Sequence, residues 1–283
     1  MTRQSRSTST APNPDFSPLP REPGEGNLAW GQRAARAMRT PSPADWTFIA
    51  LLGGADTLSF RCRVAQSHLR PDMQPSYWSQ ALMVLLEDAS LAGAQALHVP
   101  LLQPAGPDFG PRSNGVTMEP LAAFDDPAAY PNIALIALPV AQAKIQARVQ
   151  AFMRSRSTLD ALEHVLRWLA FAWGVARTGN PLFDNYGLPS ACMLEAVCAA
   201  EGYDLTPGLE SRASCPEAIW IAARHWHDYY EKTGSGIPFG RFTVDHGYPI
   251  LEGERVVLPQ PPQPPAAPKP KKARPKGPKK SKA

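Results

Sequence analysis

Apolar Leu58, Phe60, Cys62 and Val64 alternate with Ser59, Arg61 and Arg63, a period of two that predicts a half-buried strand. Another apolar run, Trp46–Leu52, precedes it across Gly53 and Gly54. "ALMVLLE" (81–87) is apolar almost throughout and predicts a buried strand, with "AQALHVPLL" (94–102) as its neighbour. "PAGPDFGPRSNG" (104–115) reads as a loop from its glycines and prolines. "VTMEPLAAF" and "NIALIALPV" follow as strand-like pieces, with "DDPAAYP" as the turn between them.

From Ala141 the period lengthens to that of a helix. Ile145, Val149, Phe152 and Met153 share one helical face, and Leu159, Leu162, Val165, Leu166 and Leu169 repeat the signal. "ACMLEAVCAAEG" predicts a third helix, stopped by Gly202. "SCPEAIWIAARHWHDYYEK" predicts a fourth, where Ser214 and Glu217 have capping-box spacing and Pro216 suits the first turn. "YPILEGERVVLP" is a last strand-like piece. Strands followed by helices make an α+β protein, with an antiparallel sheet packed on helices.

Composition adds the ends. Residues 1–27, rich in Ser, Thr, Pro and Arg, read as a disordered arm, residues 28–258 as one domain, and residues 259–283 as a disordered Pro/Lys-rich tail. The tail holds seven lysines and one arginine; removing those eight charges from a net +4 leaves −4 for the rest, so the folded part is mildly acidic. The tail is therefore the candidate for sequence-independent contact with a polyanion. No run reaches the ~20 apolar residues that span a bilayer, and the first thirty residues lack a signal-peptide core, so the expected location is the cytoplasm. Cys62, Cys192, Cys198 and Cys215 have no metal-ligand spacing, and no cofactor motif is present.

Candidate chemistry is sparse. His225 and His227 are two apart and belong to an aromatic surface with Trp226, Tyr229 and Tyr230 rather than to a metal site. Cys215 stands at a helix start, where a dipole lowers a thiol's pKa, but reads more simply as a small buried residue. Ser190 and Cys192 also stand at a helix start, Ser190 as an N-cap or a nucleophile. His98 lies within an apolar strand.

In order along the chain come "ADTLSFR" (55–61), "WSQALMVL" (78–85), "ALHV" (96–99), "NGVTMEPLAAF" (114–124), "SACMLEAVCAAEGYDL" (190–205) and "SCPEAIW" (214–220). Together these resemble the circularly permuted papain-like amidases, relatives of the bacterial NlpC-type cell-wall peptidases and of lecithin–retinol acyltransferase. The resemblance covers about residues 44–230 and implies a permuted papain-like fold. It also implies a histidine base on the "WSQALMVL" strand, a polar partner on the next, and a cysteine nucleophile opening a helix. At the base position this chain has Gln80; at the nucleophile position it has Ser190, with Cys192 two residues late; His98 falls near the third polar position. A glutamine cannot take a proton at neutral pH. The resemblance therefore implies a broken catalytic set. The expectation is a catalytically impaired domain that binds a small molecule, lipid or peptide in its cleft. The alternative is an active hydrolase of amides, esters or thioesters in which His98 serves Cys192 or Ser190.

Overall fold

The computed structural model describes residues 16–38, 45–86, 90–104, 113–155, 159–231 and 239–243. In chain order the elements are β1 (Phe16–Pro18), α1 (Asn27–Met38), β2 (Thr47–Gly53), α2 (Thr57–Ala65), β3 (Gln80–Leu85), β4 (Gln95–His98) and β5 (Thr117–Pro120). There follow β6 (Asn132–Leu138), α3 (Gln142–Arg154), α4 (Ala161–Ala172), α5 (Pro189–Ala199), α6 (Pro216–Glu231) and β7 (Phe239–Thr243). The strands form one sheet in the order β1-β7-β6-β2-β3-β4-β5. Its pairings are antiparallel except that of β1 with β7. The fold is α+β.

Both faces of the sheet are covered, which is why β2 and β6 are buried throughout and, apart from Thr47 and Asn132 at their first positions, carry no polar side chain. One face carries Ile49, Leu51, Ala81, Met83, Leu97, Ala134 and Ile136, packed under α3, α4, α5 and α6. The other carries Phe48, Leu52, Leu82, Val84, Ala96 and Leu135 against Trp30, Ala34 and Met38 of α1.

The period-two segment Leu58–Val64 is not a strand but helix α2. Asp56 caps it, its carboxylate accepting from the Ser59 amide at 2.9 Å and the Ser59 hydroxyl at 2.6 Å. Beyond the glycines the chain leaves the sheet: a Cβ at Gly53 would lie 1.9 Å from the Tyr77 carbonyl, so two backbones touch there. The helix turns Arg63 inward, where its guanidinium donates to the Ser76 carbonyl (2.8 Å) and the Gly54 carbonyl (3.3 Å), and leaves Val64 partly exposed.

The N-terminal arm also departs from expectation. Phe16–Pro18 joins the sheet beside β7, and α1 begins at Asn27. The start of α6 is held differently too. Glu217 turns away from any capping box and accepts from the Ser76 hydroxyl at 2.6 Å, with Arg70 at 3.6 Å. Its amide is satisfied instead by the Gln66 side chain at 2.9 Å. Leu166, expected on the buried face of α4, is exposed; Val165 and Trp168 face the core. The predicted strand 248–259 lies outside the described residues, as does the tail. Among the described residues no helix is long and apolar enough to cross a membrane.

Candidate functional site

At one end of the sheet β3 begins and β4 ends, and the N-terminus of α5 meets them. A cavity of about 300 Å³ opens there, lined among others by Gln80, His98 and Ser190. Three residues far apart in sequence are thus brought together by antiparallel pairing and by α5 packing on β3. Cys192 does not line this cavity. It is one helical half-turn away, fully buried, and its thiol donates to the carbonyls of Arg212 (3.2 Å) and Ser214 (3.4 Å). Burial pushes that thiol well above the ordinary cysteine range.

Ser190 is committed to the backbone of the strand end. Its Oγ accepts from the Val99 N–H at 2.8 Å and donates to the Val99 carbonyl at 3.1 Å. The chain has left the β4 ladder at Val99 and precedes Pro100, so no strand partner serves those groups; the serine takes that place. Ser79 repeats the device on β2's end, accepting from the Gly54 N–H at 3.0 Å and donating to the Leu52 carbonyl at 3.2 Å. The third serine on the wall, Ser59, donates to Asp56. Each serine lining the cavity already has an acceptor for its proton.

His98 pairs with Thr117 across β4 and β5, so Glu119 is its diagonal neighbour on the same face. His98 Nε2 meets the Glu119 carboxylate at 2.5 Å, while Nδ1 is buried without a partner. Burial lowers the His98 pKa, and the hydrogen bond and charge of Glu119 oppose it only in part. The imidazole is then neutral near pH 7, with Nε2–H donating. Its edge packs on Phe124, ring centroids 5.5 Å apart, and Phe124 packs on Tyr130 at 5.5 Å. Gln80 and Tyr130 share the cavity wall. Burial raises the tyrosine's pKa, the charges of Asp56 and Glu119 add to that, and Gln80 opposes the rise. Apolar wall comes from Leu58, Leu101, Leu102 and Leu188.

The other candidates resolve plainly. Cys215 is buried at the start of α6 and its thiol is pushed up to about 12, chiefly by burial. Cys62 and Cys198 are likewise buried and raised. His225 packs edge-on to Trp226. No group of three or more His, Cys, Asp or Glu suited to a metal ion occurs among the described residues.

Sequence reading missed Asp56, Glu119, Phe124 and Tyr130. Glu119 had a usable signal, a single acid two residues from Thr117 in a short strand; Tyr130, in a turn, had none. No family model, curated protein or solved structure matches this chain.

Proposed function

We propose that this is a permuted papain-like domain whose hydrolytic chemistry is lost and whose cavity binds a small ligand. The grouping of Gln80, His98 and Ser190 about one cavity supports the resemblance, because those are the positions it pairs with base, polar partner and nucleophile. The observation that carries the loss of chemistry is the double bond of Ser190 to Val99. A serine nucleophile must pass its proton to a base. Here that proton goes to a backbone carbonyl, and Gln80 at the base position cannot accept it. Nor does Cys192 substitute: it lies off the cavity with a raised pKa, so almost none of it is thiolate at neutral pH. What remains is a cleft whose serine hydroxyls are already bonded and whose sides are partly apolar, the composition of a binding site.

The test is turnover of p-nitrophenyl acetate and of a model anilide. The unmodified protein should show no rate above buffer. The double variant Gln80→His/Ser190→Cys, which restores a base and a thiol at the two positions, should show measurable ester cleavage. Turnover by the unmodified protein that disappears in Ser190→Ala or Cys192→Ala would overturn the reading.

A further inference from the structure

We infer that this cavity selects an organic ammonium ion, held between the carboxylates of Asp56 and Glu119 and the aromatic wall of Phe124 and Tyr130. The inference rests on the cavity being a ligand site and names the chemical class it takes. Two independent features lead to it.

The first is charge. The residues lining the cavity include two acids, Asp56 and Glu119, and neither a lysine nor an arginine. Asp56 and Glu119 both reach solvent at least in part. The His98–Glu119 pair carries one negative charge while the imidazole is neutral. A carboxylate or phosphate entering here meets like charge and no cation. An ammonium gains charge-assisted hydrogen bonds.

The second is the aromatic cluster. His98 packs edge-on to Phe124 and Phe124 packs tilted against Tyr130, each with ring centroids 5.5 Å apart, and all three line the cavity. Aromatic rings beside carboxylates are the surroundings in which cations bind by ring electrostatics as well as by charge. The leucine side chains that also line the cavity suit an apolar body attached to the cationic head. A volume of about 300 Å³ limits the ligand to a small one.

Three near-isosteres separate the possibilities: 2-phenylethylamine, 2-phenylethanol and 3-phenylpropanoate. Each is titrated into the full-length protein at pH 7 and moderate salt, with dissociation constants read by ligand-observed NMR. The amine should bind roughly tenfold more tightly than the alcohol, and the carboxylate should not bind measurably. The basic tail would bias the result the other way, so an amine preference cannot come from it. Glu119→Gln keeps an acceptor for His98, and Asp56→Asn keeps a good N-cap. The double variant should therefore fold, still bind the alcohol, and lose the amine preference. Equal binding of amine and alcohol, or tighter binding of the carboxylate, would refute the ammonium while leaving the ligand site standing. Binding of none of the three would remove both. An amine preference that survives in the double variant would refute the role of the two carboxylates.

Discussion

Two buried serines, Ser190 and Ser214, should respond to alanine with opposite signs. The Ser190 hydroxyl makes two hydrogen bonds to Val99, 2.8 Å as acceptor and 3.1 Å as donor, at a site that is 4% exposed. Ser190→Ala leaves the buried Val99 N–H and carbonyl without that partner. An unsatisfied buried polar group costs about 1–3 kcal/mol, and the carbonyl adds a smaller amount, so the loss should be about 2–4 kcal/mol. The Ser214 hydroxyl, in contrast, is buried with no partner at all. Ser214→Ala removes a desolvated group that returns nothing, so stability should hold or rise by up to about 1 kcal/mol. Urea unfolding followed by tryptophan fluorescence measures both. With a slope of about 2 kcal/mol per molar, the Ser190→Ala midpoint should fall by roughly 1–2 M, while that of Ser214→Ala stays or rises. A Ser190→Ala midpoint within about 0.2 M of the parent would refute the structural role assigned to the hydroxyl. It would then be free to act as a nucleophile, since reactive groups often contribute little to stability or even oppose it.

Further expectations follow from other buried groups. Gln66 is fully buried and bonds the Cys62 and Trp78 carbonyls (3.0 and 2.8 Å) and the Glu217 N–H (2.9 Å), so Gln66→Met should cost on the order of 3 kcal/mol in the same unfolding assay. Glu195 and Glu217 both have pKa values raised by burial, so the folded state holds their protons to higher pH than the unfolded chain does. Their contribution is full below about pH 4.5 and is lost as pH rises through the folded values; Glu195→Gln, which can still accept from Thr206, should lessen that decline relative to the parent when unfolding is compared across pH 4–8. All four cysteines are buried, so in native protein Cys192 should react with iodoacetamide no faster than Cys198, both becoming reactive only in denaturant, as peptide mass spectrometry would register. Deleting residues 259–283 should abolish polyanion binding; if all eight tail charges engage phosphate, log K against log[salt] falls with a slope of at most roughly −7, and salt-insensitive binding by the truncated chain would remove the tail from the account.

How far the sequence could be read depended on whether a signal was local or arose from contact. The apolar runs read at 46–52, 81–87 and 132–140 hold β2, β3 and β6, because a strand covered on both faces is apolar at consecutive positions. Alternation at 58–64 misled because it is brief. Over seven residues a period of two and a period of 3.6 share several apolar positions, and the deciding feature was Asp56 as a cap, just outside the window. The capping box at Ser214 and Glu217 had the right spacing, yet Gln66, 151 positions away in the chain, took the amide of Glu217. No local pattern reports such a competitor. The cavity was legible in part for the same reason. Gln80, His98 and Ser190 were singled out from motif order, but Glu119 reaches His98 only through the β4–β5 register, and Phe124 and Tyr130 only through the path of the chain beyond β5.

The way this cavity engages its serine hydroxyls bears on the proposed loss of hydrolytic chemistry. An active hydrolase must hold a nucleophile with its proton directed at a base and its oxygen at the substrate, leaving neighbouring backbone groups to water or to the reacting ester. In this chain the hydroxyls of Ser79 and Ser190 are turned to the ends of β2 and β4, each accepting one N–H and donating to one carbonyl. Without those hydroxyls the Val99 N–H and carbonyl and the Gly54 N–H would lose that partner, a cost of about 1–3 kcal/mol each, whereas the Leu52 carbonyl also accepts from the Ser79 N–H at 2.7 Å. On the proposed reading, Ser190 has no base to serve and its hydroxyl stabilises the fold by closing the backbone at Val99. Restoring activity would therefore require more than one substitution. A histidine at position 80 supplies a base, but Ser190 must also release Val99 before it can attack. For that reason Gln80→His alone should yield far less turnover than Gln80→His/Ser190→Cys, whose sulfur is a poorer acceptor and donor for Val99 and a better nucleophile. Equal rates for the single and double variants would mean that the Val99 bonds do not restrain Ser190.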